Sequence, residues 1–468
     1  MAFPADPLNV RVELMVSGSW VDITDDVRVS EGITITRGRA DEASRVDPGR
    51  CSLTLDNRDG KYSPRNPTSP YYGLIGRNTP IRVLVDGEVR FTGEVSSWPP
   101  RWDVAGVNAW VPVEASGVLR RLGQGAAVLG SAMYRGRIFD TAGLVAYWPC
   151  EDPEGSGSIA PALAHEPMTV IGSPKMAAYE GFAASLPIPL LNGSEWRGAV
   201  PPYTSTGQIQ VRWLMNIPAS GAPTGETLVL LYTTGSVRRW EVFYQSGGML
   251  GLRAFDGNGD QLLNTGGVSF GVNGKNVMVS VELQQSGNNV NWSLLTLEPG
   301  APTGLHYYGT LTSNTVARVG TVIVSPSGGI TDVAIGHISV QNTITSLFDL
   351  SWQLAAWTGE AAGRRIQRLC AEEGVPFVAV GDLDDTYPLG PQKPATLLDL
   401  LGEAADTDMG VLYEPRHVLG LAYRTRSSMY VQKPAAELDY AAGHLAPPLE
   451  PVDDDQAVRN DITVRRSG

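Results

Sequence analysis

The sequence predicts a mainly β protein that combines β-barrel domains, a small α+β domain and an inserted β-sandwich of the jelly-roll type. Three observations predict this fold class. Short runs that alternate apolar with polar residues recur along most of the 468 residues, as half-buried strands do. Glycine and proline are frequent, with 53 and 33 residues, which indicates many turns. Charged residues become scarce over one central stretch, which indicates a domain with its own surface.

The composition excludes several classes of protein. A formal net charge of −13 disfavours binding to nucleic acids and to anionic membranes. No run approaches the ~18 apolar residues of a membrane-spanning helix, and the amino terminus lacks the pattern of a secretory leader. We therefore expect synthesis in the cytoplasm and no membrane insertion. Cys51, Cys150 and Cys370 are isolated in the sequence, which supports neither a disulfide framework nor a zinc site.

Residues 1–136 are predicted to form the first domain, an amino-terminal β-barrel. Strand-like runs occur at Val10–Val16, Cys51–Leu55 and Ile81–Val85, with turn-forming clusters between them. The dipeptide Asp86-Gly87 lies between two such runs and is typical of a type I′ hairpin.

Residues 141–345 are predicted to form the inserted domain. They contain 8 Lys/Arg and 13 Asp/Glu among 205 residues, whereas the other 263 residues contain 64 charged ones. Strand patterns recur here without helical periodicity, which predicts a β-sandwich. The predicted first strand, Leu144–Trp148, and last strand, Val333–Val340, would pair in a jelly roll and bring the two ends of the domain together. Such a domain can be inserted into a surface loop of another domain.

Residues 350–430 are predicted to form a small α+β domain. The pattern predicts one helix from a cap at Thr358 to Gly374 and a second helix after Thr396. Two strands, Val411–Tyr413 and Val418–Tyr423, are predicted to form a hairpin. Residues 431–468 are predicted to return to the barrel as an incomplete segment, with one strand at Ile462–Arg465.

Two sets of segments resemble known families. The first resembles minor tail proteins of actinobacterial phages, and comprises Gly32–Arg39, Cys51–Pro64, Arg90–Gly93, Ala404–Glu414, Gly420–Arg426 and Leu445–Val464. The second, Gly143–Pro149 with Asp332–Val340, resembles concanavalin-A-like, laminin-G-like jelly rolls.

The first resemblance implies a hub-type scaffold at the virion tail tip, or baseplate. It implies assembly with copies of itself as a ring, a trimer in that family, and with other tail proteins: the distal tail protein, the tape measure and fibres. Members of that family continue well beyond the position of Ile462, so we expect the closing part of the barrel to be missing, shortened or supplied by another subunit.

Several residues are candidates for binding. Trp196 has the context of a loop and could stack on a sugar ring, whereas the strand patterns around Trp213, Trp240 and Trp292 favour core positions. Asp256, Asn258 and Asp260 alternate like calcium ligands, but a hairpin turn between strands explains them better. We expect no cofactor, with calcium as the alternative. The aromatic residues Trp98, Trp102, Tyr71 and Tyr72 suit a contact between subunits.

No catalytic residues are predicted. Glu151, Asp152 and Glu154 share a segment that reads as a solvated loop, and the five histidines are scattered. We therefore expect a structural protein and not an enzyme, one that displays a carbohydrate-binding domain for host attachment. Two alternatives stay open: a receptor-binding lectin that recognises host surface glycans, and a tail enzyme that degrades glycans.

Overall fold

The computed structural model describes residues 8–39, 44–139, 141–430, 432, 434 and 437–445. Of the predicted return segment, residues 431–468, only 432, 434 and 437–445 are described, so its predicted strand at 462–465 lies outside the described residues. The chain forms two compact units: the first within 1–127, 360–388 and 396–468, and the second within 128–359 and 389–395. The predicted fold class is confirmed, because antiparallel sheets dominate both units.

The α-helices are few and short. They are α1 (Val118–Leu122), α2 (Ala132–Phe139), α3 (Ser351–Leu354), α4 (Ala362–Glu372), α5 (Leu397–Asp408) and α6 (Arg426–Tyr430). Turns of 3₁₀ helix occur at Thr24–Asp26, Val29–Glu31 and Leu347–Leu350.

The first unit contains a large antiparallel sheet. Its strands are β1 (Val10–Val16), β2 (Ser19–Asp22), β3 (Thr34–Gly38), β4 (Asp47–Asp56), β5 (Thr79–Val85), β6 (Glu88–Ser97), β7 (Arg101–Trp102) and β8 (Ala109–Ser116). The strand order is β2-β1-β5-β6-β8-β4-β3, and β7 pairs with β8. Buried residues of β1 and β4 share one core with those of β5 and β8, so the sheet curls around that core. Asp86 and Gly87 both have positive φ between β5 and β6, which confirms the predicted type I′ turn.

A small mixed sheet also belongs to the first unit. It has the order β26-β28-β27, with β26 (Phe377–Val380) parallel to β28 (Leu421–Arg424) and β27 (Val411–Tyr413) antiparallel to it. Thr396 caps α5 by accepting a hydrogen bond from the backbone N–H of Asp399. The predicted cap of α4 is wrong, because the Thr358 hydroxyl instead donates to the carbonyl of Ala355 and the helix begins at Ala362.

Glu414, in the loop after β27, ties distant segments of the first unit together. Its carboxylate accepts one hydrogen bond from the N–H of Leu119 and one from the N–H of Gly49, each at 2.6 Å. Helix α1 has Gly117 at its amino-terminal cap and no capping side chain of its own, so Glu414 supplies the missing acceptor.

The second unit is a sandwich of two antiparallel sheets. Its strands are β9 (Leu144–Trp148), β10 (Ser158–Ile159), β11 (Met168–Ile171), β12 (Lys175–Tyr179), β13 (Ile188–Asn192), β14 (Glu195–Ala199), β15 (Gln208–Asn216), β16 (Thr227–Thr233), β17 (Arg239–Gln245), β18 (Met249–Phe255), β19 (Gln261–Asn264), β20 (Val268–Ser269), β21 (Asn276–Ser286), β22 (Asn289–Leu297), β23 (Leu305–Leu311), β24 (Val319–Val324) and β25 (Thr331–Gln341).

The two sheets of the sandwich enclose one large apolar core. The front sheet has the order β10-β11-β14-β24-β16-β17-β18-β19, with β20 on β18; the back sheet has the order β12-β13-β25-β15-β21-β22-β23, with β9 on β25. Trp213, Trp240 and Trp292 all lie in the core between the sheets, as predicted. Strands β9 and β25 pair, so the first and last strands of the sandwich are neighbours.

The outer face of the back sheet is partly covered. Helices α2 and α3 and the 3₁₀ turn at Leu347–Leu350 bury apolar residues of that face, among them Leu214 and Met278. This cover explains why the second unit extends beyond the predicted range 141–345 on both sides. Next to it, the same face of the back sheet carries polar residues, and the candidate site lies there.

Candidate functional site

An open cleft of about 360 Å³ lies on the outer face of the back sheet. Its floor comes from β21, β22 and β23, and its wall from the segment that follows β25. The lining residues are Glu282, Leu295, Gly304, Leu305, His306, Ile344, Thr345, Ser346, Leu347 and Phe348. We refer to it as the Glu282 cleft.

Strand register brings the polar side chains of this face together. Gln210, Glu282, Ser293 and Tyr308 are successive cross-strand partners on β15, β21, β22 and β23. Residues directly opposite one another on antiparallel strands point to the same face and are close enough to interact. The sequence therefore places four polar side chains in one row across four strands.

Side chains of β15 hold the wall of the cleft by hydrogen bonds to its backbone N–H and carbonyl groups. The Gln210 amide accepts from the N–H of Thr345 at 3.1 Å and donates to the Thr345 carbonyl at 2.9 Å. Arg212 also donates to that carbonyl, and to the Thr345 hydroxyl at 3.0 Å. The N–H of Ile344 donates to the Gln208 side chain at 2.8 Å. The wall is thus fixed to β15 without being part of the sheet.

Glu282 is the acidic group of the cleft. Its Oε1 accepts from the Gln210 amide at 2.7 Å and, at 3.4 Å, from the Ser280 hydroxyl. Within the described part of the chain, its Oε2 receives no hydrogen bond. Burial raises the pKa of Glu282, and the Gln210 hydrogen bond, Arg212 and His306 oppose that rise. The side chain therefore offers a ligand one free carboxyl oxygen.

Aromatic and apolar side chains border the cleft. The His306 ring lies 4.9 Å from the Tyr308 ring, and His306 Nε2 lies 3.0 Å from the Ser293 hydroxyl. Tyr308 is 70% exposed, Leu305 is 50% exposed and Phe348 is 44% exposed. Exposed rings next to hydrogen-bonding groups suit ligands with both an apolar face and hydroxyl groups.

A second polar cluster lies elsewhere in the sandwich, around His337 on β25. His337 Nδ1 lies 2.7 Å from the Tyr147 hydroxyl, and Nε2 lies 2.7 Å from the Ser185 hydroxyl and 3.2 Å from a Glu151 carboxylate oxygen. The same Glu151 oxygen accepts from the N–H of Leu186 at 2.8 Å. The prediction of a solvated loop at Glu151 is therefore wrong.

The His337 cluster is better suited to holding segments together than to catalysis. The His337 side chain is completely buried, so its nitrogens are closed to a substrate. The cluster joins the end of β9, the loop before β13 and a bulge in β25. Burial favours the neutral form of Glu151, but the hydrogen bonds from His337, Ser131 and Leu186 outweigh it and lower the pKa of Glu151.

The structure does not support Trp196 as a sugar-binding residue. Trp196 lies on β14 rather than in a loop, its ring is completely buried in the core, and its N–H donates to the Ser194 hydroxyl at 3.1 Å. Tyr308 and Phe348 do border a cleft, but the sequence hardly indicates this. The position of Tyr308 depends on strand register, and that of Phe348 depends on how the wall segment lies on the back sheet.

Asp256, Asn258 and Asp260 form a turn between β18 and β19. The Asp256 carboxylate accepts from the N–H of Asn258 at 2.8 Å and from the N–H of Asp260 at 2.9 Å. The turn interpretation, favoured from the sequence, accounts for these residues. Over the described residues, no three His, Cys, Asp or Glu side chains are placed to hold a metal ion.

The four predicted interface aromatics separate into two pairs. Trp98 and Tyr71 are buried in the first unit: the Trp98 N–H donates to the Gly76 carbonyl at 2.8 Å, and both rings pack against Tyr62. Trp102 is 66% exposed and Tyr72 is 55% exposed. Trp98 and Tyr71 are therefore core residues, and Trp102 and Tyr72 are open to a partner.

Comparisons with known proteins were made by sequence and by structure. No protein-family model matches the chain, and no curated protein matches it. Among the described helices, none has the length and hydropathy needed to span a membrane.

The solved structures that the chain matches include enzymes and a carbohydrate-recognition domain, at TM-scores of 0.30 and below. Trypanosoma rangeli sialidase in complex with sialic acid is 10% identical with a TM-score of 0.30, over 69% of this chain and 53% of the sialidase, so the chain spans about half of that enzyme. The enzymatically active domain of bacteriophage CBA120 tailspike protein 2 is 13% identical with a TM-score of 0.29, over 41% of this chain and 31% of that one. The carbohydrate recognition domain of Emp46p is 10% identical with a TM-score of 0.26, over 38% and 89%.

These comparisons correct the expectation that the protein is not an enzyme. A sialidase, an enzymatically active tailspike domain and an alginate lyase are all among the similar structures. The expectation rests on the absence of a catalytic motif, but side chains from distant strands can converge without one, as the Glu282 cleft illustrates. Excluding enzymes on the sequence alone is therefore wrong.

Proposed function

We propose that the chain is a minor tail or hub-type protein of a bacteriophage tail tip whose second unit binds carbohydrate of the host surface. The tail assignment is supported by the resemblance of segments in the first unit to minor tail proteins of actinobacterial phages. The carbohydrate assignment is supported by the geometry of the second unit.

One observation carries the carbohydrate assignment: an aromatic-bordered cleft with a free carboxyl oxygen at its floor. Glu282 and His306 provide polar atoms for sugar hydroxyls, and Phe348 provides an apolar face. Tyr308 adds a second exposed ring at the border, next to His306. A pyranose ring presents both kinds of surface, so it matches the cleft better than a purely apolar ligand does. The volume of about 360 Å³ is at the lower end of the usual range for ligand pockets, and it suits one or two sugar rings.

The first experiment tests glycan binding by the full chain. A glycan array identifies a ligand, and calorimetry then compares Tyr308→Ala with Tyr232→Ala. Tyr232 is an exposed tyrosine on β16 of the front sheet, away from the cleft. We expect Tyr308→Ala to weaken binding about five- to tenfold, since one aromatic contact is lost, and Tyr232→Ala to leave it unchanged. Equal losses in both variants would place the ligand elsewhere.

A second experiment tests the tail assignment. Antibody labelling of intact virions, viewed by electron microscopy, should place the chain at the distal end of the tail. Labelling confined to the capsid would contradict the assignment.

A second candidate function is cleavage of the bound glycan. The observation that favours it is the position of Glu282, because a carboxyl group with an unbonded oxygen in an open cleft can act directly on the bond of a glycan held there. Incubation of the pure chain with host envelopes should then release new sugar ends, and Glu282→Gln should abolish their release while glycan binding persists. Binding without any release would leave recognition alone as the function.

A further inference from the structure

The charges that face the Glu282 cleft are unbalanced. None of the described residues lining it is a lysine or an arginine, and its one basic side chain is His306. Glu282 has an unbonded carboxyl oxygen, and the exposed Asp349 follows the lining residue Phe348 in the wall. The cleft and its rim therefore carry two carboxyl groups and one imidazole, with no ammonium or guanidinium group among the described lining residues.

The nearest guanidinium offsets this imbalance only in part, by acting through space on Glu282. Arg212 lies on β15 beneath the wall, is completely buried, and donates to the carbonyl and hydroxyl of Thr345. Its charge is directed into the wall that closes it off from solvent. A carboxylate on a ligand in the cleft would meet Glu282 without reaching Arg212.

We infer that the Glu282 cleft selects glycans by charge, binding amino sugars most tightly, neutral sugars less tightly and acidic sugars least. This inference rests on the proposed carbohydrate binding. An ammonium group on the sugar gains a charge-assisted hydrogen bond with the free Glu282 oxygen, whereas a uronate or sialate carboxyl is repelled by it. Neutral sugars keep only the ring contacts and uncharged hydrogen bonds.

The test uses the full chain and three tetrasaccharides of similar size: a β-1,4-glucosamine tetramer, a β-1,4-glucose tetramer and a galacturonic acid tetramer. Calorimetry at neutral pH and low salt should give affinities that fall about tenfold from the first to the second and again from the second to the third. In ~1 M salt the differences should shrink, because exposed charges are then screened.

A matched pair of variants assigns the selectivity to the cleft. Glu282→Gln keeps the shape of the side chain and removes its charge, so the glucosamine tetramer should lose about tenfold and the galacturonic acid tetramer should gain about as much. Glu180→Gln removes an exposed charge between β12 and β13, outside the cleft, and should leave the order unchanged.

Two kinds of result would overturn the inference, and they have different consequences for the proposed function. If the acidic tetramer binds the wild-type chain as tightly as the neutral one, or if Glu282→Gln leaves the order intact, charge selection by Glu282 is wrong while carbohydrate binding stands. If no glycan binds on the array or in calorimetry, the proposed function itself fails, and the inference fails with it.

Discussion

At the scale of single residues, burial decides which sequence predictions hold. Tryptophan and tyrosine are equally suited to a core and to a binding surface, and the local sequence of Trp98 and Trp196 does not separate the two roles. The structure places both in cores, with their N–H groups bonded to Gly76 and Ser194. By contrast, Trp213, Trp240 and Trp292 are correctly predicted as core residues, because strand alternation surrounds them.

Glu282 was beyond prediction for a different reason. The surroundings of Glu282 depend on the register of β15, β21, β22 and β23. They also depend on the wall segment at Thr345, which lies 63 residues after Glu282 in the sequence. Residue type and spacing alone do not predict that register. The Glu151–His337 pair is equally hard to predict from the sequence, because its two residues come from opposite ends of the sandwich domain in the sequence.

The Glu151–His337 pair gives a prediction about stability and pH. Glu151→Gln removes the charge and should lower the free energy of unfolding by about 1–3 kcal/mol at neutral pH, since the buried partners lose a charged acceptor. Because folding lowers the pKa of Glu151, its stabilisation is fully present above the unfolded-state pKa, near 4.5, and is lost as the pH falls through the folded-state value.

Urea denaturation of the wild type and the variant at several pH values measures this effect. The difference between them should be largest at neutral pH and shrink below pH ~4. Glu154→Gln, in the exposed part of the same segment, serves as the control and should unfold like the wild type. A difference that is constant down to pH ~2 would contradict the explanation by an ionised Glu151.

At the scale of elements, strands and turns follow from the sequence more closely than helix ends do. The alternation of Ile81–Val85 and the dipeptide Asp86-Gly87 predict β5 and its type I′ turn correctly, since both signals are local. The start of α4 is mispredicted because Thr358 closes the preceding turn instead of opening the helix. The parallel pairing of β26 with β28 is not predicted, because parallel strands are joined through distant chain segments.

The Glu414 tether gives a prediction at this scale. Glu414→Ala leaves the N–H groups of Leu119 and Gly49 without their acceptor and should lower the free energy of unfolding by about 2–3 kcal/mol. Gly117→Ala should also destabilise the first unit, because a Cβ there would lie 2.0 Å from a Glu414 carboxylate oxygen.

Combining the two changes separates a direct contact from independent effects. If Gly117→Ala acts by displacing Glu414, the double variant should lose less stability than the sum of the two single losses. Guanidinium denaturation followed by tryptophan fluorescence measures all three. Strict additivity would show that the Gly117 substitution acts without Glu414.

At the scale of the whole molecule, assembly is the remaining prediction from the sequence. We propose that the chain forms a ring, a trimer by the family resemblance, and that Trp102 contributes to the subunit contact. Trp102 ends the short strand β7, and the loop after it exposes Val104 and Val107 as well. An exposed apolar cluster of this kind is typical of a surface that binds a partner protein.

Two tryptophan variants test this contact. Trp102→Ala should leave the melting temperature nearly unchanged while shifting the mass measured by light scattering toward the monomer, because the side chain is mainly exposed. Trp98→Ala should instead lower the free energy of unfolding by about 3–5 kcal/mol, because it empties a core position. A wild-type chain that stays monomeric at high concentration, with virion maps showing a single copy, would rule out the ring.

The pairing of β9 with β25 has a mechanical consequence. The N–H of Asn342 donates to the carbonyl of Gly143 at 2.9 Å, so the strand that opens the sandwich and the strand that closes it are joined at their ends. Tension pulling on the chain at Gly143 is therefore passed directly to Asn342 across this ladder. The strands between β9 and β25 lie outside this line of force. The wall of the Glu282 cleft follows Asn342 directly, so a pull along the chain would load that wall before the β9–β25 ladder separates.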